Sequence, residues 1–421
     1  MHCASKRRLH GQSAFQMARF LQSFWRAAGF MTFASQQSTG PTITTKKTRV
    51  AVIASLAPSL TNFRIELLKR MVGAGHEVFA LAPNEDQKTT ETLNSLGIKF
   101  IQIPMSRTGL NPFADLATLH ALWKQFRLLK PDFIMPYTMK PIIYGGIAGR
   151  IANIPNRCFL VTGLGHVFSN MHASWKLSAI KHTSVFLYKL ALSGAKVVFV
   201  YNDADDADIR DNNMVTDKSR IVMVPGSGVD LDHFKRTDVP GGPPSFLLVA
   251  RLLKDKGIVE YVEAARIVRK QFPQAEFKLL GHFDPGINGI TPAQVETWVG
   301  EGVIDFLGQT TDVRPYLSRC TTFVLPSYYR EGIPRSILEA LATGRAVITA
   351  DSPGCRDTVE DGVNGYIVSP RDIQGLAKAI MSLAADHAKA VAMGKRSYEI
   401  AQQRFDVHAV NRLLLTQMEL I

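Results

Sequence analysis

The stretch Asp238-Val-Pro-Gly-Gly-Pro-Pro-Ser-Phe-Leu-Leu-Val-Ala250 divides the sequence into two halves that repeat one pattern. Its first seven residues are a Pro/Gly-rich break, the best linker candidate in the chain. Its last six are an apolar run of the kind expected of a strand buried on both faces of a parallel sheet. Downstream, similar runs at 276–281, 303–306, 322–325 and 346–349 alternate with helical spacing at 257–271 and 334–342. Upstream the same alternation has already occurred once. Strand-like runs at 49–56, 77–82, 99–103, 132–136, 157–162 and 196–200 are separated by helical patterns at 61–73, 112–129, 141–152 and 174–192. Strand–helix–strand spacing predicts an α/β fold with two doubly wound, Rossmann-like domains facing a cleft. The expected divisions are a basic extension at 1–47, a first domain at 48–236, a second at 237–400, and a C-terminal helix at 401–421 placed to cross back to the first domain.

Bulk properties set limits on function. The chain has 421 residues, 46% hydrophobic and 20% charged, which fits two globular domains. Of the formal net charge of +13, eight Lys/Arg and no acid fall in residues 1–50, leaving +5 for the other 371 residues. A nucleic-acid surface is not needed to explain so mild an excess, which suits anionic ligands or an anionic membrane surface. Four scattered cysteines with no CxxC pair read as reduced thiols, not as a disulfide framework or zinc site. The longest apolar stretch, 178–201, is broken by Lys181, His182, Lys189 and Lys196, so no membrane span is expected. Residues 1–47 read either as a dispensable extension, with Met17 and Met31 as later starts, or as an amphipathic anchor or targeting peptide.

The sharpest chemical signal is Glu331-Gly-Ile-Pro-Arg-Ser-Ile-Leu-Glu339, after the strand ending at Leu325. Pro334 suits the first position of a helix, where its missing N–H costs nothing. Gly332 and Ile333 form the approach, and backbone N–H groups near Arg335 and Ser336 favour a phosphate. Eight residues of helix span ~12 Å, about the reach from a sugar to a ribose across a diphosphate. The plain alternative is two unrelated surface acids before a buried helix. The second signal is Ala250-Arg251-Leu-Leu-Lys254-Asp-Lys256-Gly257, where a strand ends and a helix opens. Ligands bind at the carboxyl ends of such strands. Arg251 and Lys256 there suit a diphosphate leaving group, against the alternative of surface charge at a turn.

These residues resemble the family-4 retaining glycosyltransferases of the GT-B fold. The resemblance extends through Gly226-Ser-Gly-Val-Asp230 with Phe234, Phe306-Leu-Gly308, Leu325-Pro-Ser327, Pro353–Val359 and Asp361-Gly-Val-Asn-Gly365. Asn62-Phe-Arg64, Tyr137-Thr-Met-Lys140-Pro141 and Thr162-Gly-Leu-Gly165 make it most similar to enzymes that extend lipid-diphosphate-linked sugars, such as bacterial N-acetylgalactosaminyl, capsule and O-antigen transferases. Met139 stands where that subgroup often has Pro. The resemblance implies metal-independent, configuration-retaining transfer from a nucleotide sugar, UDP before GDP, with no cofactor. The implied acceptor is a glycan or a polyprenyl-diphosphate sugar, and the implied location is the cytoplasm, peripheral to the inner face of the membrane. By position, Arg251 and Lys256 hold the diphosphate, Glu331 the sugar and Glu339 the ribose, with Leu307–Gln309 near the base. Asn62, Arg64, Lys140, Gly163 and Gly165 fall on the acceptor side. His166 is a catalytic candidate or a plain loop histidine.

Rival readings are a sugar-nucleotide epimerase on the same double fold, a nicotinamide-dependent oxidoreductase and a non-catalytic partner. The loop Ala57-Pro-Ser-Leu-Thr61 lacks GxGxxG, which speaks against a dinucleotide. The four retained charged residues speak against decay.

Overall fold

The computed structural model describes residues 47–106, 111–165, 175–215, 219–286 and 288–421. The expectations for the N-terminal extension and for His166 lie outside the described residues.

The first sheet has seven parallel strands: β1 (Arg49–Ile53), β2 (Glu77–Ala82), β3 (Lys99–Gln102), β4 (Phe133–Pro136), β5 (Asn156–Val161), β6 (Val197–Val200) and β7 (Arg220–Met223). Its helices are α1 (Pro58–Gly73), α2 (Gln87–Ser95), α3 (Pro112–Leu129), α4 (Gly146–Ile151), α5 (Trp175–Leu192) and α6 (Asp203–Asp211). The strand order is β3-β2-β1-β4-β5-β6-β7, with β1 paired from Arg49 to Glu77 on one side and from Val50 to Phe133 on the other. Apolar runs form these strands because helices cover both faces: Val50 to Ile53 and Phe133 to Pro136 are buried throughout. Several boundaries differ from the sequence expectation, two of them in the first domain's helices. Helix α1 starts at Pro58, three residues early, because a proline in the first turn forgoes a bond that a helix start lacks anyway. The expected helix 141–152 is instead a π-helical turn, Pro141–Gly145, followed by α4.

The second sheet has six parallel strands: β8 (Ser245–Val249), β9 (Glu276–Leu280), β10 (Asp305–Phe306), β11 (Thr322–Leu325), β12 (Ala346–Ala350) and β13 (Gly365–Val368). Helices α7 (Ile258–Arg269), α8 (Pro292–Gly300), α9 (Arg314–Ser318), α10 (Arg335–Thr343), α11 (Ile373–Ala385), α12 (His387–Arg404) and α13 (Val407–Met418) follow in the chain. The order β10-β9-β8-β11-β12-β13 repeats that of the first six strands of the first sheet. In each half the order reverses beside the first strand, between β1 and β4 and between β8 and β11. The strand ends at such a reversal open a crevice for a ligand.

The chain passes from one core to the other between Val224, packed in the first, and Val229, packed in the second. This lies ahead of the Pro/Gly-rich stretch. The guanidinium of the buried Arg345 holds the start of that stretch to the second domain, donating to the carbonyls of Leu317 (2.8 Å), Asp238 (3.1 Å) and Thr237 (3.3 Å). The return crossing runs beside the outward one: Val229 N donates to Phe405 O at 2.7 Å and Val407 N to Val229 O at 3.0 Å. Helix α13 then packs on α1, burying Val410, Leu414, Leu415 and Met418 in the first-domain core.

Candidate active site

Two loops of the second domain, at the reversal of its strand order, build the site. After β8, Leu252 and Leu253 are buried, which turns Arg251 toward the crevice; a 3-10 turn, Lys254–Lys256, leads into α7. Gly257 ends that turn at φ 75° with the Pro326 backbone against it, so a side chain has no room there. After β11, residues 326–334 form the second loop. Tyr328 and Tyr329 each donate a backbone N–H to Asp255 O at 3.0 Å, which ties the two loops together.

The ion pair Lys256 Nζ–Glu331 Oε1 joins them chemically. Its side chains are 11% and 14% exposed, and the Ser327 hydroxyl donates to the same carboxylate oxygen at 3.2 Å. The ammonium also lies 5.2 Å from the Tyr329 ring centroid. Arg251 is held by Asp284, at 3.0 Å, and keeps about a third of its surface exposed. Glu339 is paired with Arg335 at 3.1 Å, one helical turn apart. Burial raises the Glu339 carboxyl above its ordinary range, and Arg335 pulls it back. Arg251, Lys256, Glu331, Arg335 and Glu339 line one cavity of about 310 Å³, together with Gln309, Pro334 and Ser336.

Several expected residues take other places. Pro334 is the N-cap of α10, not its first helical residue, because its ψ of 118° is extended. The first intrahelical bond is Ile337 N to Pro334 O at 3.1 Å, so the N–H groups of Arg335 and Ser336 precede it and face the cavity end of the helix. The Arg335 side chain is committed to Gly228 O at 2.9 Å and to Glu339, which leaves its backbone as the feature offered to a ligand. Leu307 packs on the second-domain core, and of the Leu307–Gln309 segment Gln309 reaches the cavity. Gly332 and Ile333 lie on the seam between the domains. A Cβ at Gly332 would run into the Thr162 carbonyl and the Tyr201 ring, and Ile333 packs against both cores.

The first-domain residues divide similarly. Gly163, at φ 118°, lies where a Cβ would sit 2.8 Å from Gly332 N, and Gly165 faces the Tyr329 hydroxyl. Asn62 is exposed. Arg64 is buried, with its guanidinium 2.5 Å from the Tyr201 hydroxyl and 5.2 Å from the Tyr137 ring centroid, so it is not a cavity-lining cation. Lys140 is spent in a nearly buried pair with Asp115 at 2.9 Å. Conversely, Phe63 and His282 line the cavity and were not expected. His282 follows β9 as Arg251 follows β8, so the strand-end rule applied once more would have found it. Away from the cavity, Asp230, Asp232 and His408 bring ligand atoms within 4.8 Å of one another, but the Asp230 carboxylate already caps the N–H groups of Asp232 and His233.

Comparison with known proteins meets the same division of the chain. The family model described as Glycosyl transferase 4-like domain matches residues 65–226, and the one described as Glycosyl transferases group 1 matches residues 230–400. The chain is a glycosyltransferase. A Campylobacter jejuni N,N'-diacetylbacillosaminyl-diphospho-undecaprenol alpha-1,3-N-acetylgalactosaminyltransferase is 28% identical over 368 residues, covering 84% of this chain and 94% of the relative. An Escherichia coli UDP-Gal:alpha-D-GlcNAc-diphosphoundecaprenol alpha-1,3-galactosyltransferase is 24% identical over 297 residues, 68% and 74% of the two chains. Anabaena HepE, solved in complex with UDP, superposes with a TM-score of 0.69 at 20% identity, over 89% of this glycosyltransferase and 100% of that chain. The fold is GT-B. None of these relatives is named as an epimerase or an oxidoreductase.

Proposed function

We propose that this glycosyltransferase moves a sugar from a UDP-sugar to a polyprenyl-diphosphate-linked sugar, with retention of configuration and without a metal or cofactor. The observation that carries the reading is the convergence of Arg251, Lys256, Glu331, Glu339 and the start of α10 on one cavity at the strand-order reversal. Arg251, Lys256 and the N–H groups of Arg335 and Ser336 supply positive potential where a diphosphate departs. Glu331 takes the sugar hydroxyls and Glu339 the ribose. The acceptor hydroxyl attacks C1 from the face the nucleotide leaves. The new C1–O bond forms as the C1–O(phosphate) bond breaks, UDP departs with the electron pair, and a phosphate oxygen takes the hydroxyl proton. No placed nucleophile is required. The UDP-Gal donor named in the Escherichia coli relative, and the undecaprenol-diphosphate-linked sugars named in both bacterial relatives, support this choice of substrates.

A membrane surface fits the first domain. Helices α3, α4 and α5 expose Phe113, Leu116, Leu128, Ile151 and Phe186 among Lys124, Arg127, Arg150 and Lys189. Asp115 is the only carboxylate on these three helices, and its pairing with Lys140 removes it from the surface charge. Apolar and cationic side chains together suit the interface of an anionic bilayer. Among the described residues no helix is long and apolar enough to cross a membrane.

Thermal shift against a panel of nucleotide sugars, with EDTA present, tests the donor assignment. One UDP-sugar is expected to raise the midpoint, and Glu339→Ala to abolish the rise. No shift with any of them would remove the assignment.

A further inference from the structure

The loop that carries Glu331 is gripped from the first domain as well as the second. Asn202, at the carboxyl end of β6, is buried and caps α6, its side-chain oxygen accepting Asp205 N at 2.9 Å. Its amide nitrogen donates across the seam to Glu331 O at 3.1 Å and Gly332 O at 3.2 Å, and within the first domain to Asp205 Oδ2 at 3.0 Å. Asp205 is 1% exposed. Its other oxygen accepts Leu164 N at 3.2 Å and lies 3.7 Å from Arg330 Nη2, while Arg330 also reaches Asp208 at 2.5 Å. One amide and one carboxylate thus fix both sides of the seam: the Leu164 loop, and the peptide groups that set where the Glu331 side chain departs.

We propose that Asn202 and Asp205 are positioning residues, through which the first domain holds the Glu331–Gly332 peptide and so aims the Glu331 carboxylate at the donor sugar. The inference rests on the reading of Glu331 as the sugar contact. The geometry makes the assignment specific. Across the seam Asn202 hydrogen-bonds backbone carbonyls of the Glu331 loop, and none of its hydrogen bonds goes to Arg251, Lys256 or Glu339. Loosening it acts on the sugar contact first, and reaches the nucleotide contacts only through the Lys256–Glu331 pair, leaving Arg251 with Asp284 and Glu339 with Arg335. A purely structural cap has no such selectivity, since it needs only the bond to Asp205 N.

Asn202→Ser separates the two roles. A serine hydroxyl still caps α6, but its shorter side chain does not carry an amide to the two carbonyls. With the full-length enzyme, the expected result is a thermal midpoint close to wild type and a dissociation constant for UDP within twofold. The tighter binding of the UDP-sugar over UDP should disappear, and kcat should fall ten- to a hundredfold. Asp205→Asn is expected to show the same split more weakly, because it keeps the shape of the clasp. The inference is overturned if Asn202→Ser keeps kcat within twofold, or if kcat and UDP affinity fall by the same factor. It is also overturned if both variants simply fail to fold, which marks a structural knot and nothing more. Glu331→Ala, measured alongside, keeps the two failures apart. If Glu331→Ala is itself active, the sugar-contact reading has failed; if it is inactive while Asn202→Ser is normal, only the positioning inference has.

Discussion

Lys256→Ala removes the cation that faces Glu331, with one consequence for stability and another for rate. The pair is nearly buried, with side chains 11% and 14% exposed. Removing one partner of a buried pair costs about 3–5 kcal/mol. Here the stranded carboxylate keeps the Ser327 hydroxyl at 3.2 Å and borders an open cavity, which places the cost near the lower end, about 3 kcal/mol. At about 2 cal/mol/K of unfolding entropy per residue, that lowers the thermal midpoint of a chain this long by about 4 °C. The rate loses a fixed charge at the departing diphosphate, worth about 3–4 kcal/mol, or a factor of roughly 10²–10³. Adding Glu331→Gln separates the two effects. The double variant no longer strands a charge, so its midpoint returns most of the way to wild type while its rate stays low. Thermal midpoints of the four chains of this cycle, with initial rates of UDP release in the presence of acceptor, make the measurement. A single variant with a wild-type midpoint and a rate within threefold of wild type would refute the reasoning, as would stability losses that simply add in the double variant.

Other outcomes follow from the same geometry. Gly332→Ala is expected to cut transfer at least tenfold, because the added methyl meets the Thr162 carbonyl and the Tyr201 ring and pushes the Glu331 loop off the first domain; unchanged kinetics would place the seam elsewhere. Asp205, raised by burial to about 6, is more basic than in the unfolded chain, so its contribution to stability is greatest below pH 4 and is lost as pH rises toward 6. The wild-type stability minus that of Asp205→Asn should therefore fall by up to about 3 kcal/mol across that window, at about 1.4 kcal/mol for each step of one in pH; a flat difference in denaturant titrations from pH 4 to 6.5 would contradict it. Phe113→Ser together with Phe186→Ser should weaken co-flotation with anionic liposomes severalfold without altering the midpoint, and equal flotation would remove this face as the contact.

What the sequence disclosed and what it hid have separate causes. Glu77–Ala82, Pro112–Leu129 and Thr322–Leu325 fall where their apolar pattern puts them, because a strand covered on both faces or a helix with a proline start is a local property. Arg251, Lys256, Glu331 and Glu339 meet at one cavity because the first three belong to loops at the ends of β8 and β11 and Glu339 to the helix that the second loop opens, and the strand-end rule reads such loops one at a time. Lys140 misled because its partner Asp115 lies 25 residues away and the pair is buried, which no local pattern displays. Asn202 and Asp205 were invisible for a stronger reason. The amide reaches carbonyls 129 and 130 residues distant, and a carbonyl is present at every position whatever its side chain.

The return of α13 to the first domain also orders events in time. Met418, Leu415 and Leu414 complete a core begun at Val50, and His76 Nε2 meets Leu420 O at 2.8 Å across 344 residues. During synthesis on the ribosome the second domain emerges with all its strands in hand. The first, although made earlier, lacks a wall until α13 has been made. The half that begins first is closed by an element made after the donor site, and removal of α13 would leave the floor of the first domain open while the donor site keeps all its residues.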